Sequence, residues 1–214
     1  MSELRITEIF HSLQGEARTV GLPTVFVRLT GCPLRCGYCD TEYAFSGGTV
    51  RSIADIVAEV ASYRPAYVCV TGGEPLAQKN CLLLLAELCD RGWEVSLETS
   101  GALDVSPVDA RVVKVMDIKT PGSGEVHRNL YGNIAHLTRS DQVKFVLCDR
   151  QDYEWARFRI DEYGLTARVS EVLLSPSHGQ LAARDLAQWI LDDRLRVRMQ
   201  LQLHKIIWGE ERAR

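Results

Sequence analysis

The sequence predicts an α/β chain whose parallel strands curl into a partial barrel. Three observations lead there. Short runs rich in β-branched residues alternate with helical patterns, and runs such as YVCV (67–70) and VLL (172–174) are apolar throughout, as strands covered by helices are. The chain has 214 residues, short for eight strands with their helices, so a partial (β/α) barrel of about six parallel strands with additions is expected. With 46% hydrophobic residues and no repeat, linker or low-complexity segment, residues 1–214 read as one domain.

Taken in order, strands are expected over 24–30, 66–71, 94–99, 112–118, 142–147, 169–174 and 196–203. Apolar residues recur at three- and four-residue spacing over 52–63, 78–90, 151–163 and 181–192, which predicts helices there. Only a short segment, 102–110, joins the third and fourth strands, so helices are fewer than strands. The last strand, within RLRVRMQLQLHK, alternates so that Arg196, Arg198, Gln200, Gln202 and His204 share one face, either solvated at an edge or turned to a ligand. In parallel architectures ligands bind where strands end and loops begin.

A net charge of −3 supplies no basic field for a phosphate backbone, so nucleic acid is not an expected partner. MSELRITEIF has no apolar core of a leader, and the longest apolar run, near 82–85, is too short for a bilayer. A soluble, cytoplasmic protein with no membrane partner is expected.

Seven cysteines is an odd number, and a chain with this apolar content needs no disulfide framework. Cys69, Cys81, Cys89 and Cys148 fall in apolar or helical runs and read as small buried hydrophobes. The other three, Cys32, Cys36 and Cys39, stand as C-x3-C-x2-C in the turn-rich stretch GCPLRCGYCDTEYAF. Structural zinc takes four ligands; no second C-x2-C or H-x3-H pair exists, although His11 could complete a Cys3His site in a non-catalytic binding module. Three thiolates can instead hold three irons of a 4Fe–4S cluster and leave the fourth open to a ligand. Downstream, VTGGEP (70–75) follows the strand YVCV, and its glycines let backbone approach a ligand closely.

The cysteine spacing, with Tyr38 before the last cysteine, followed by Gly-Gly-Glu at 72–74, resembles the radical S-adenosylmethionine superfamily. Within it, IFHSLQGE (9–16), Arg28 in VFVRLTGC, the Asp-Thr after Cys39, TGGEP, ETSG (98–101) and LHK (203–205) resemble the family of 7-carboxy-7-deazaguanine synthases, from Ile6 to about Lys205. The resemblance implies a 4Fe–4S cluster on Cys32, Cys36 and Cys39, with the open iron chelated by S-adenosylmethionine, cleaved to a deoxyadenosyl radical. It implies contraction of 6-carboxy-5,6,7,8-tetrahydropterin to 7-carboxy-7-deazaguanine with loss of ammonia, on the route to queuosine and related 7-deazapurines. Substrate contacts would come from Ser12, Leu13, Gln14, Gly15, Glu16, Arg28, Thr71 and His204. S-adenosylmethionine contacts would come from Tyr38, Cys39, Asp40, Gly73, Glu74, Ser100, Asp117, Ile118, Lys119, Ser175, Pro176, Ser177 and His178, and Thr41 would ligate magnesium. A reductant such as flavodoxin and a homodimer complete the expectation.

The residue types agree with that chemistry. A carboxylate such as Glu16 accepts from the donor-rich edge of a pterin, Gln14 both donates and accepts, and Arg28 can grip a substrate carboxylate bidentately. Without the resemblance, Glu16 is equally a loop acid, Arg28 half of a salt bridge, Thr41 a turn cap, and the serines ordinary caps. Relatives that end in a proline use its carboxylate toward substrate, whereas this chain continues as IIWGEERAR. A glycyl-radical activase is the alternative enzyme; HSLQGE and CDT favour a small-molecule site.

Overall fold

The computed structural model describes residues 2–209, 211 and 213. In chain order its strands are β1 (Glu3–Leu13), β2 (Pro23–Leu29), β3 (Thr49–Ser52), β4 (Tyr67–Gly72), β5 (Glu94–Thr99), β6 (Val113–Asp117), β7 (Gln142–Leu147), β8 (Glu171–Pro176) and β9 (Arg198–Met199). The helices are α1 (Ile53–Ser62), α2 (Cys81–Asp90), α3 (Arg150–Glu162), α4 (Leu165–Arg168), α5 (Ala183–Asp192) and α6 (Leu203–Trp208). All strands join one open sheet in the order β3-β1-β2-β4-β5-β6-β7-β8-β9. From β2 onward neighbours are parallel, so six full-length parallel strands and the stub β9 form the partial barrel; β1 and β3 add antiparallel to its first edge.

Each long parallel strand separates two environments by simple alternation. Val25, Val27 and Leu29 of β2, Val68 and Val70 of β4, and Val95 and Leu97 of β5 pack outward against α1 and α2. Val143, Phe145 and Leu147 of β7 and Val172 and Leu174 of β8 pack outward with residues of α3 and α5. The intervening residues turn to the concave side, where Phe10, Phe26 and Cys69 form a small apolar floor. Capping sets the helix starts: Ser52 accepts from the Asp55 amide at 3.1 Å and Asp149 from the Asp152 amide at 2.9 Å. Neither β5–β6 nor β6–β7 carries an α-helix; 3-10 turns at Pro121–Ser123, Val126–Arg128 and Tyr131–His136 serve the second connection.

Sequence periodicity misses β1 and β3, and β1 shows why. Its pairing with β2 slips between Ile6 and Glu8. That irregularity reverses the alternation: Leu4, Ile6 and then Ile9 pack outward, while Phe10 joins the floor and Glu8 reaches Arg28. The strand expected over 196–203 is corrected to Arg198–Met199. After the Gln200 amide bonds to Leu174, the Leu203 amide bonds instead to Gly15 at 3.0 Å, and the chain turns into α6. Arg196, Arg198, Gln200, Gln202 and His204 therefore do not share one strand face.

The β1–β2 connection, 14–22, crosses to the far side of the curled sheet. The Ala17 amide donates to Gln200 at 2.6 Å and the Arg18 amide to Gln142 at 2.8 Å, at the start of β7. Ala17 accepts a φ of 65° to make this crossing. Among the described residues no helix is long and apolar enough to cross a membrane.

The outward layer makes a direct expectation. Leu97 is fully buried at the centre of β5, so Leu97→Ala should cost about 2–5 kcal/mol in urea unfolding; a loss under about 1 kcal/mol would show that this layer does not carry the core.

Candidate active site

At the carboxyl ends of the parallel strands lies a cleft of about 500 Å³ that continues down the concave side of the sheet. Its rim is the loop after β2. Gly31, at φ 100°, starts the loop, with its amide on Ala44 at 2.7 Å. Gly37 donates to Ser123 at 3.0 Å, the Arg35 amide to Glu125 at 2.7 Å, and the Arg35 guanidinium to the carbonyls of Cys32 and Leu34. These ties hold Cys32, Cys36 and Cys39 half-exposed on the cleft wall.

TGGEP packs directly against this loop. The Glu74 amide bonds to Gly31 at 2.8 Å, and a Cβ on Gly73 would lie 2.3 Å from the Gly31 carbonyl and 2.8 Å from Cys32 Cβ. Only glycine permits that approach. The Glu74 side chain points away, into the protein. Fully buried, it accepts from Thr99 Oγ1, from the Ser100 amide and hydroxyl, and from the Leu76 amide.

Burial raises all three loop thiols, Cys36 to about 11, so a metal centre must displace their protons. Among the described residues no three Cys, His, Asp or Glu side chains converge on a single ion. His11 packs against Tyr63 with tilted rings 5.9 Å apart and is absent from the cleft wall. Three soft donors on one rim, spread too far for one ion, suit a multi-iron cluster. Two further wall atoms, Tyr38 Oη and Asp117 Oδ1, are buried without a hydrogen-bond partner, as polar atoms that meet a polar ligand would be.

Deeper in the cleft the strands contribute charge. Arg28 of β2 bonds Glu8 through Nε at 2.7 Å and lies between the rings of Phe10 and Tyr43, 5.8 and 5.9 Å from their centroids. Lys144 of β7 meets Glu16 at 2.5 Å, and Gln202 donates to the other Glu16 oxygen at 2.8 Å. Lys119 bonds Asp117 at 2.8 Å. Burial opposes the Lys144 charge, yet Glu16, Asp117 and Glu98 outweigh it and raise that amine above the ordinary lysine range. Glu98, half-buried on the cleft wall with Thr71 as donor at 3.3 Å, moves upward, chiefly by burial and against the pull of Lys144. Thr41 donates to Asp40 at 2.8 Å on the cleft wall.

The fold thus gathers Leu13, Gln14, Gly15, Glu16, Arg28, Thr71 and His204 with Tyr38, Cys39, Asp40, Thr41, Gly73, Ser100, Asp117, Lys119, Ser177 and His178 around one cavity. Five expected residues stand outside its wall: Ser12 pairs with Thr24 in the β1–β2 ladder, Glu74 is turned inward, Ile118 and Ser175 are buried behind the surface, and Pro176, half-buried at the end of β8, is not part of the wall. Sequence reasoning missed Glu98, Lys144 and Lys205 as wall residues, along with Phe10 and Phe26, whereas Gln202, expected on one face of a last strand, reaches the wall from the turn before α6. A signal existed for Lys144, a charge inside the otherwise apolar run VKFVL.

The comparisons agree with this geometry. Residues 26–117 match the model of the Radical SAM superfamily. The chain is 45% identical to a protein of Koribacter versatilis named 7-carboxy-7-deazaguanine synthase, covering 97% of this chain and 98% of that one. A protein of the same name from Chlorobaculum tepidum is also 45% identical, over 97% and 96%. The crystal structure of QueE from Escherichia coli shares the fold, with a TM-score of 0.70 and 22% identity over 92% of this chain and 94% of that one. An open, mostly parallel sheet carrying three rim cysteines and a Gly-Gly-Glu wall, together with near full-length identity of this order, places the chain in the 7-carboxy-7-deazaguanine synthase family of radical S-adenosylmethionine enzymes.

Proposed function

We propose that this enzyme converts 6-carboxy-5,6,7,8-tetrahydropterin to 7-carboxy-7-deazaguanine with loss of ammonia. One observation carries the reading: Glu16 and Arg28, an acceptor for pterin N–H groups and a partner for a carboxylate, line the same cleft as the three rim thiols. Cys32, Cys36 and Cys39 would hold the 4Fe–4S cluster, which when bound supplies the electron that cleaves S-adenosylmethionine to the hydrogen-abstracting radical.

The protein's own residues then bind and orient. Glu16, with one donor on each oxygen, keeps acceptor capacity for two substrate N–H groups. Arg28 spends Nε on Glu8 and has its terminal nitrogens for a carboxylate, while Phe10 and Tyr43 hold its plane. Gln14 and His204 stand beside Glu16 on the wall, and a Cβ on Gly15 would lie 2.2 Å from His204 Nδ1, so Gly15 admits that ring. Ser100, Asp117, Lys119, Ser177 and His178 would meet the methionine and nucleoside parts of the cosubstrate. Glu74, through its bonds to Ser100, would position that wall without touching the ligand.

Magnesium would sit at Thr41, beside Asp40, and orient the substrate carboxylate. A flavodoxin-like reductant would supply the electron. The short edge strand β3, with Thr49 and Val50 exposed, suits a homodimer contact, and seven free thiols suit the reducing cytoplasm. The whole chain would act as one radical SAM domain.

The deciding experiment is anaerobic turnover with carboxytetrahydropterin, S-adenosylmethionine, magnesium and dithionite, followed by mass detection of the deazaguanine. Cosubstrate cleavage without that product would overturn the substrate.

Three outcomes follow from the assignments. Alanine at Cys32, Cys36 or Cys39 should abolish the visible absorbance of the reconstituted cluster, whereas Cys81→Ala should retain it; iron and sulfide assays check both. Glu16→Gln, which keeps shape and removes charge, should weaken pterin binding by roughly ten- to a hundredfold, about 1.5–3 kcal/mol, in calorimetry. Thr41→Ala should raise the magnesium concentration needed for half-maximal turnover and leave the cluster spectrum intact; an unchanged titration would return Thr41 to a structural role.

A further inference from the structure

The charges around the cleft pair off with one exception. Arg28 is matched by Glu8 and Lys119 by Asp117. Lys205 and His204 of α6 face Asp40 of the cysteine loop at the mouth, and His204 also faces Glu16. What is left in the centre is Lys144, facing Glu16 from the β1–β2 connection at 2.5 Å, Glu98 from β5, and Asp117 from β6 at 4.0 Å. One amine thus serves two carboxylates: Glu98 accepts from the Thr71 hydroxyl at 3.3 Å and faces Arg28 as well as Lys144, and Glu16 also faces His204.

A lysine in the middle of a buried parallel strand is a costly way to fill space. Its ammonium loses hydration, and a methionine of similar length would not. The ion pair is not the only tie on the connection 14–22, whose backbone amides also bond Gln142 and Gln200. We infer that Lys144 is a positioning residue for the substrate, resting on the reading above: its ammonium balances the charges of Glu16 and Glu98 and fixes which Glu16 lone pairs remain for the pterin N–H groups. Two carboxylates in one low-dielectric site cannot both stay charged unaided, and a protonated Glu16 would present a hydrogen where the substrate also presents one.

Removing the amine should therefore create a pH dependence that the wild type lacks. In Lys144→Met the Glu16–Glu98 pair should hold a proton to higher pH than in the wild type. Pterin affinity should fall by ten- to a hundredfold at pH 6 and recover toward pH 9, while wild type and Lys144→Arg stay flat. Lys144→Gln donates an N–H to Glu16 without charge, so it should behave like Lys144→Met. It carries the test if the methionine variant fails to fold.

A second readout needs no substrate. A carboxyl whose folded pKa is raised contributes stability at low pH that is lost as pH rises through that pKa. The gap in melting temperature between wild type and Lys144→Met should therefore widen from pH 5 to pH 8. Affinity in Lys144→Met that is equal to wild type, or reduced equally at every pH, together with a constant melting gap, would overturn the inference. Should the wild type fail to bind the pterin, the substrate reading falls and the melting gap alone decides Lys144, a constant gap overturning it.

Discussion

The contact between Glu16 and Lys144 is the constraint around which the cleft is arranged. One partner comes from the connection between the first two strands and the other from β7, five strands away in the sheet. An open sheet has no hydrogen bond between its two ends, so its curvature has to be supported from within. The connection 14–22 does this. Backbone amides tie it to β7 and to the segment after β9, and the ion pair sets the depth at which Glu16 stands. The cleft-lining residues that follow, Gly15 and His204 among them, inherit their positions from that crossing.

Division of labour between the two faces of the sheet explains why so many charges can be gathered without dissolving the core. Outward residues of β2, β4, β5, β7 and β8 are aliphatic or aromatic and pack under helices. Inward residues of the same strands include Arg28, Thr71, Glu98 and Lys144, and they line the cleft. Period-two alternation makes this possible at almost no conformational cost. Where alternation alone would fail, in β1, the register slip between Ile6 and Glu8 turns the acid inward to hold Arg28 while its apolar neighbours stay outward. The carboxylate of Glu74 does comparable work behind the wall, joining the ends of β4 and β5 so that the Gly-Gly backbone meets the cysteine loop at van der Waals distance.

Much of this was determined by the sequence itself. Six parallel strands and the helices α1, α2, α3 and α5 are local consequences of apolar period and capping, and they stand within a few residues of where those patterns place them. The three rim cysteines were legible for the same reason: donor type and spacing within a short loop need no distant partner to be recognised. TGGEP was legible because glycine at a close approach is a local steric demand. Near full-length similarity then follows from motifs that are each contiguous in the chain.

Tertiary structure alone decided the rest. The alternation of β1 is hidden by a slip that exists only in its pairing with β2, and the end of β9 is set by a bond from Leu203 to Gly15, nearly the whole chain away. The Glu74 motif adjoins the cleft, and the direction of its side chain is set by bonds to Thr99 and Ser100, a strand away, which turn it inward. Glu98 and Lys144 carried no recognisable spacing, since a carboxylate and an amine acquire their meaning only from what faces them across a curled sheet. Charge pairing is a property of distance in space, and the sequence states distance only along the chain.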